Sequence, residues 1–339
     1  MLSPPYCLAL SFSDFEIPLD TAHADHVMAT INFHLNNHYG EATMGNSSPE
    51  PSVSVIIPAY NAASYIAETI NSVLATTGVN YEVIVIDDQS TDNTWQVLDN
   101  FGDAVRKVQA PKGGPYKARN LGARLAQGPW LAFLDADDTW APTKLAKQLA
   151  LADDQTGLVY TDRLNIGDCS RVKERQSDSV RLWDGDVFEP LLLGNFITLS
   201  SVLIRKSWFD RLGGFSEAQV GVQDWDLWLR FAAEGGVVRL LREPLTSYRF
   251  HDQQMSSQHD ARAAERSAIV SRTLLTPRGR HVNWAVARQA HASVWEIGAW
   301  QAAHTQRWKA ISWFLRSAYY WPWNLRLYKG IVKCCIGMA

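Results

Sequence analysis

Short apolar runs alternate with amphipathic segments in the middle of the chain. The apolar runs cover residues 53–57, 81–86 and 130–134. Each run is short enough to be a strand buried on both faces. Ile66, Ile70 and Val73 recur at helical spacing after the first run, and another helix is predicted over residues 116–127. The alternation predicts an α/β fold with a mostly parallel central sheet flanked by helices.

The second half continues this pattern and then changes to helices. We predict further strands at residues 158–161, 199–204 and 237–241. The pattern beyond residue 255 is helical. We therefore divide the chain into a weakly ordered N-terminal extension (1–50), an α/β domain (51–255) and a C-terminal helical region (256–339).

Composition narrows the class of protein. The chain has 339 residues, and its hydrophobic content of 46% is ample for a large core. A net charge of −3 gives no reason to expect a nucleic-acid partner. The four cysteines show no paired spacing, which favours a reducing cytoplasm, and no apolar run reaches the length of a membrane span.

Carboxylates follow two of the predicted strands. Asp87 and Asp88 end one strand, and Asp135 and Asp137 end another. The carboxyl ends of parallel strands meet at one edge of a sheet, where α/β proteins place their ligands. Such carboxylates suit a hard divalent cation, although aspartate is also a common turn residue.

Cationic residues lie between these two acidic pairs, at Lys112, Lys117 and Arg119. They suit a diphosphate, or they are ordinary charges of a solvated loop. The residues after the first strand, Pro58-Ala-Tyr-Asn61, match neither the Rossmann glycine pattern nor a P-loop. A site of another kind for a nucleotide diphosphate and a solvated loop therefore remain the two interpretations of this region.

Two further residues have both a chemical and a structural interpretation. Asp224 is predicted in the first turn of a helix, where it is a general base or a carboxylate favoured by the helix dipole. His251 is a metal ligand or a surface histidine, and its local pattern alone favours the surface.

Taken together, five ordered motifs resemble the family 2 inverting glycosyltransferases of the GT-A fold, over about residues 52–255. The motifs are Val53-Ser-Val-Ile-Ile-Pro-Ala-Tyr-Asn61, Val83-Ile-Val-Ile-Asp-Asp-Gln-Ser-Thr-Asp92, Ala118-Arg-Asn120, Leu134-Asp-Ala-Asp-Asp138 and Gln223-Asp224. The family often has an acidic residue before its base, and this chain has Gln223 there.

The resemblance implies a role for each matching residue. It implies that Ala59, Tyr60, Asp87 and Asp88 hold the nucleoside and that Asp135 contacts the ribose. It implies that Asp137 holds a divalent metal, Mn²⁺ or Mg²⁺, on the diphosphate, and that His251 joins the metal or the phosphates. Asp224 would be the catalytic base, and Lys117 and Arg119 would flank the donor. The donor-binding set is completed by Pro58, Asn61 and Ala136.

From the resemblance we expect transfer of a sugar from a nucleotide-diphosphate donor, usually UDP-linked, to an acceptor hydroxyl in surface polysaccharide or glycan synthesis. The acceptor is a saccharide or a lipid-linked saccharide. The alternative is a non-catalytic nucleotide-sugar-binding protein of the same fold. The presence of both Asp137 and Asp224 argues against that alternative.

The C-terminal region mixes aromatic and basic residues. Trp308, Ile311 and Leu315 lie at helical spacing near Arg307 and Lys309. This mixture suits peripheral contact with the inner face of the cytoplasmic membrane, or a helix that packs back on the rest of the protein. The sequence leaves both interpretations open.

Overall fold

The computed structural model describes residues 50–169, 172–217, 221–251, 260–303 and 305–336. The predicted N-terminal extension over residues 1–50 lies almost wholly outside them. The strands are β1 (Val53–Ala59), β2 (Tyr81–Asp87), β3 (Arg106–Gln109), β4 (Trp130–Phe133), β5 (Thr139–Trp140), β6 (Thr156–Gly167), β7 (Leu203–Arg205) and β8 (Val237–Phe250).

The helices alternate with these strands and then follow them. They are α1 (Ile66–Leu74), α2 (Thr94–Asp99), α3 (Pro115–Leu125), α4 (Lys144–Leu151), α5 (Phe188–Leu193), α6 (Lys206–Arg211), α7 (Gln223–Ala233), α8 (Asp260–Leu275), α9 (Trp284–Ala302), α10 (Arg307–Tyr320) and α11 (Leu325–Cys335). Single 3-10 turns cover Gly102–Ala104, Gln176–Asp178, Leu199–Ser201 and Gly279–His281.

Eight strands of the described residues form one sheet in the order β3-β2-β1-β4-β7-β6-β8-β5. The β1–β2, β1–β4, β2–β3 and β6–β8 pairs are parallel. The β4–β7, β6–β7 and β5–β8 pairs are antiparallel. The predicted α/β class and mostly parallel sheet are confirmed, and the antiparallel pairs all involve strands of the second half.

Both faces of the sheet are buried because alternate residues of each strand enter different cores. Ile56 and Phe133 belong to the core beneath α3 and α7. Val55 and Ala132 belong to the core beneath α1 and α4. This explains why the first strands appear in the sequence as continuous apolar runs.

The first strand is longer than predicted, because β1 continues through Pro58 to Ala59. Leu134 N–H donates to the Ile56 carbonyl on the β4 side, and Asp88 N–H donates to the Ala59 carbonyl on the β2 side. Successive residues of a strand direct their backbone groups to opposite sides, so the nitrogen of Pro58 faces β4, as the Ile56 carbonyl does. The pairing of β1 with β4 ends at Ile56. The missing proline N–H therefore costs no ladder bond.

The predicted strand over residues 199–204 is wrong in its first half. Leu199–Ser201 forms a 3-10 turn, and pairing begins at Leu203. The Ser200 carbonyl accepts a hydrogen bond from the indole of Trp140 (2.7 Å), and the Ser200 hydroxyl accepts one from Asp135 N–H (3.1 Å). These two hydrogen bonds thus fix the position of the segment that follows β4.

The C-terminal helices form two packing groups. Ile269 of α8 and Val294 of α9 enter the core beneath α7. Trp295 of α9 packs instead with Trp313 of α10 and Leu327 of α11 in a separate core. Helices α8 and α9 therefore pack against the α/β domain, while α10 and α11 pack mainly against α9. No helix of the described residues has both the length and the apolarity that a membrane span requires.

Candidate active site

A cavity of about 620 Å³ opens at the carboxyl ends of β1, β2 and β4. We call it the first cavity. Its wall consists of Pro58, Ala59, Tyr60, Asn61, Ala62, Tyr65, Asp88, Lys112, Gly114, Pro115, Arg119, Asp135, Ala136, Asp137, Tyr248 and His251. The structure thus brings together all the predicted site residues except Asp87, Lys117 and Asp224.

The end of β1 shapes one side of this cavity. Asn61 has a positive φ of 49°, which is unusual for a residue other than glycine. Its backbone N–H donates to the Ser90 hydroxyl (3.0 Å), and its side-chain oxygen accepts from Thr91 N–H (2.8 Å). These bonds fix the turn that follows Tyr60, whose side chain is 45% exposed.

The two carboxylates at the end of β2 have different environments. Asp88 accepts hydrogen bonds from Gly113 N–H (2.7 Å) and Gly114 N–H (2.8 Å), so it holds the loop before α3. Gly114 has a φ of 85°, which explains the glycine. Asp87 is fully buried and accepts from the Ser90 hydroxyl (2.5 Å). Asp87 is not among the residues that line the first cavity, and its carboxylate stabilises the turn behind the cavity wall.

Lys117 also lies away from the cavity. It is exposed on α3 and packs over Gly113. Lys117 and Arg119 are two positions apart on a helix and so point to different sides. Lys112 lines the cavity instead, with its Nζ 3.2 Å from the Tyr60 hydroxyl and 4.8 Å from the ring centre.

Three carboxylates lie together where the chain leaves β4. Ligand oxygens of Asp135, Asp137 and Asp138 all lie within 4.8 Å of one another. The chain turns here, with Asp138 N–H donating to the Asp135 carbonyl (3.1 Å), so it does not remain extended. Burial and the Asp135 charge raise the pKa of Asp137. Burial, Asp135 and Asp137 raise the pKa of Asp138 well above its usual range.

His251 completes this cluster. Its Nε2 lies 2.8 Å from Asp137 Oδ2, and its ring stacks on Tyr65 with centres 5.2 Å apart. Carboxylate oxygens with an imidazole nitrogen are ligands that Mn²⁺ accepts, and carboxylates alone suit Mg²⁺. A cation would offset the burial and the repulsion that raise these pKa values. The residues therefore fit a divalent metal, and Asp138 is a member that the predicted set lacked.

Arg119 lies at the junction of the first cavity with a second one. It is 4% exposed, forms an ion pair with Asp135, and lies 4.8 Å from the ring centre of Tyr116. Its Nε and Nη1 have no hydrogen-bond partner within the described part of the chain. Unused donors on a buried guanidinium favour an anionic ligand.

The second cavity, of about 290 Å³, holds Asp224. Its wall consists of Pro115, Tyr116, Arg119, Asp135, Arg163, Gln176, Asn195, Ile197, Thr198, Leu199, Gly221, Asp224 and Tyr248. It shares Pro115, Arg119, Asp135 and Tyr248 with the first cavity. The two cavities therefore meet at the Arg119–Asp135 pair.

Asp224 lies in the first turn of α7, as predicted. Asn195 Nδ2 donates to its Oδ2 (2.8 Å). Burial raises the pKa of Asp224, and the Trp225 N–H, the Arg119 charge and the Asn195 hydrogen bond partly oppose the increase. The buried Gln223 accepts from Gly221 N–H (2.7 Å), so the residue before Asp224 holds the loop.

Several residues that line the cavities were not predicted from the sequence. Tyr65, Asn195 and Tyr248 were absent from the predicted set, although each lines a cavity. Tyr248 was visible in the sequence beside His251, but its contact with both cavities depends on the pairing of β6 with β8. Asn195 lies in a loop without a local pattern, so no signal identified it.

Comparisons with known proteins identify the family and the fold. The family model for glycosyl transferase family 2 matches residues 54–213. An uncharacterized glycosyltransferase of Rickettsia typhi is 32% identical over 221 residues, which are 63% of this chain and 69% of the relative. A putative teichuronic acid biosynthesis glycosyltransferase of Bacillus subtilis is 41% identical over 104 residues, 30% of this chain and 41% of the relative. The chain spans 35% of the length of the relatives from Rickettsia felis and Rickettsia conorii.

Solved structures share the fold at low identity. S. aureus TarS in complex with UDP-GlcNAc has a TM-score of 0.61 at 16% identity, covering 84% of this chain and 92% of that one. The mannosyltransferase PcManGT from Pyrobaculum calidifontis, in complex with GDP-Man and Mn²⁺, has a TM-score of 0.54 at 18% identity, covering 93% and 96%. The fold is the GT-A type, and the chain belongs to glycosyl transferase family 2.

Proposed function

We propose that this protein transfers a sugar from a nucleotide-diphosphate donor, UDP-linked, to an acceptor hydroxyl with inversion at the anomeric carbon. One observation carries the proposal. A cavity lined by carboxylates and cations meets, at Arg119 and Asp135, a second cavity that holds the carboxylate of Asp224. A donor and an acceptor in the two cavities would be adjacent where the cavities meet.

The first cavity suits the donor. Tyr60 and Asp88 lie at the strand ends where the nucleoside would bind, and Asp135 would accept from the ribose. Lys112 and the free donors of Arg119 would hold the diphosphate. The names of two fold neighbours support a nucleotide-sugar donor, since TarS was solved with UDP-GlcNAc and PcManGT with GDP-Man.

We assign the metal to Asp137 and His251, with the carboxylates of Asp135 and Asp138 beside them. A divalent cation bound there would stabilise negative charge on the leaving diphosphate. Arg119 and Lys112 would add their own charges to the same stabilisation.

Asp224 acts as the base. The acceptor hydroxyl gives its proton to Asp224 as its oxygen bonds to the anomeric carbon, and the bond from that carbon to the diphosphate breaks. Attack opposite the leaving group in one step inverts the configuration. A carboxylate whose pKa is raised by burial takes this proton more readily than an exposed one.

We infer that the acceptor is a saccharide or a lipid-linked saccharide of a surface polysaccharide. The polar wall of the second cavity, with Gln176, Asn195 and Thr198, suits hydroxyl groups. The name of the Bacillus subtilis relative supports a polysaccharide product. A lipid-linked acceptor would place the enzyme peripherally at the inner face of the cytoplasmic membrane.

The proposal is tested by screening nucleotide sugars with Mn²⁺ or Mg²⁺ for thermal stabilisation and for nucleotide release. We expect a UDP-sugar to raise the melting temperature in a metal-dependent way and to release UDP slowly with water as acceptor. Stabilisation without any release, also with added saccharides, would instead support the non-catalytic binding protein. Absence of stabilisation by every nucleotide sugar would contradict both.

A further inference from the structure

Helix α11 presents three distinct faces. Its buried face, with Leu327, Gly330 and Cys334, packs against the other C-terminal helices. A Cβ atom at Gly330 would lie 2.4 Å from the Phe314 ring, so α10 and α11 approach closely. The other two faces are exposed.

The second face is apolar. Leu325, Tyr328 and Val332 recur every three or four residues, and Ile336 continues the row just past the helix end. Leu325 is 72% exposed and Val332 is 57% exposed. A continuous apolar row on an exposed helix face indicates an interaction surface.

The third face is basic. Arg326, Lys329 and Lys333 are all exposed and lie beside the apolar row. Helix α10 repeats the arrangement, since Trp308, Leu315 and Tyr319 share an exposed face. We call the exposed apolar and basic residues of α10 and α11 the tail surface. From residue 305 to the end of the chain six residues are lysine or arginine and none is aspartate or glutamate.

We propose that the tail surface docks on an anionic lipid bilayer, with α11 lying in the interface and its apolar row inserted among the acyl chains. Helices that combine an apolar face, a basic flank and exposed tryptophans bind such interfaces. Trp323, in the turn between the two helices, is 79% exposed and adds an interfacial anchor.

The charge argues against a second copy of the chain as the occupant. A symmetric dimer places the same patch against itself. The tail surface would then bring basic groups together without any acidic partner on α10 or α11. Anionic headgroups supply the opposite charge. The inference rests on the proposed function at one point only, since a lipid-linked acceptor would lie in the membrane to which the tail surface binds.

The test is sedimentation of the full chain with vesicles of phosphatidylcholine alone or with about 30% phosphatidylglycerol. We expect binding to the anionic vesicles that falls at least about tenfold in about 0.5 M salt. The triple variant L325Q/V332Q/I336Q should weaken binding by at least about tenfold. K329Q/K333Q should weaken it by several fold and remove the preference for anionic lipid.

A matched control changes three exposed apolar residues outside the tail surface, as L151Q/V180Q/L275Q, and should bind vesicles like the unchanged protein. Absence of binding to the anionic vesicles would overturn the proposal. An equal loss of vesicle binding in the control variant would also overturn it. So would self-association that the L325Q/V332Q/I336Q variant abolishes. Nucleotide-sugar stabilisation, measured on the same proteins, keeps failure of the docking surface distinct from failure of the proposed transferase activity.

Discussion

The two cavities and the tail surface differ in the sign of their charges and in how deeply those charges are buried. At the first cavity, the carboxylates of Asp135, Asp137 and Asp138 are half-buried or buried, lie in one cluster and follow a strand of the sheet. On the tail surface, every charge is basic and exposed, beside apolar side chains that are exposed within the described part of the chain. The first arrangement suits a ligand inside the protein. The second indicates a partner outside it.

The difference also affects how far sequence patterns can be interpreted. Buried, clustered carboxylates repel one another unless a proton or a cation compensates their charge, so their presence favours a cation or raised pKa values. A row of aromatic residues on a helix carries no such cost, because it is equally consistent with a core or with an interface. Direct tests of each region sharpen this contrast.

The largest effect is expected at Asp224. Asp224→Asn removes the base and nearly preserves the shape of the side chain, so kcat should fall by about 10²–10⁴-fold. The donor Kd, measured by thermal shift or calorimetry, should change little because Asp224 lies in the second cavity. Loss of donor binding together with activity would contradict its assignment as base.

The two faces of α10 give a comparison in stability. Trp313 is buried and its ring centre lies 6.3 Å from that of Trp295, whereas Trp308 is 69% exposed. Trp313→Ala should reduce the free energy of unfolding by about 3–5 kcal/mol. Trp308→Ala should change it by less than about 0.5 kcal/mol.

Chemical denaturation of the full chain, followed by circular dichroism, measures both values. Trp308→Ala is the matched control, since it removes the same side chain from the same helix. A large destabilisation by Trp308→Ala would mean that this tryptophan is covered by protein, and the tail surface would then be smaller than proposed.

Removing one metal ligand should have an intermediate effect. Asp137→Ala deletes the carboxylate that contacts His251, so metal-dependent donor binding should weaken by about 10–100-fold. The measurement is a titration of a UDP-sugar at several Mn²⁺ concentrations. An unchanged dependence on Mn²⁺ would show that the metal is held elsewhere. Asp87→Asn changes a carboxylate behind the wall of the first cavity and serves as a control for damage to the sheet edge.

The sequence predicted the sheet edge well because the apolar strand segments and the carboxylates that follow them are local patterns. It identified most of the first cavity, from Pro58 to His251. It did not identify Asn195, and it included Lys117, because those positions depend on loop paths and on which side of α3 faces the cavity. On α10 the predicted apolar face is divided, because Trp308 and Leu315 are exposed whereas Ile311 packs against the core that contains Trp313 and Phe314. Periodicity detects a face but does not identify what covers it.

The smallest effect is expected at Asn195, and it concerns pH. Asp224 must be deprotonated to act, so activity is lost as pH falls through its raised pKa. The charged groups that act on Asp224 are Arg119, which lowers the pKa, and Asp135, which raises it. The Asn195 hydrogen bond also lowers it, so Asn195→Ala should move the acid limb of kcat/KM upward by less than about one pH unit. Above that limb most of the activity should remain. A uniform decrease at every pH, with the limb in its original place, would show that Asn195 supports the loop through its bond to Ile197 N–H and does not tune the base.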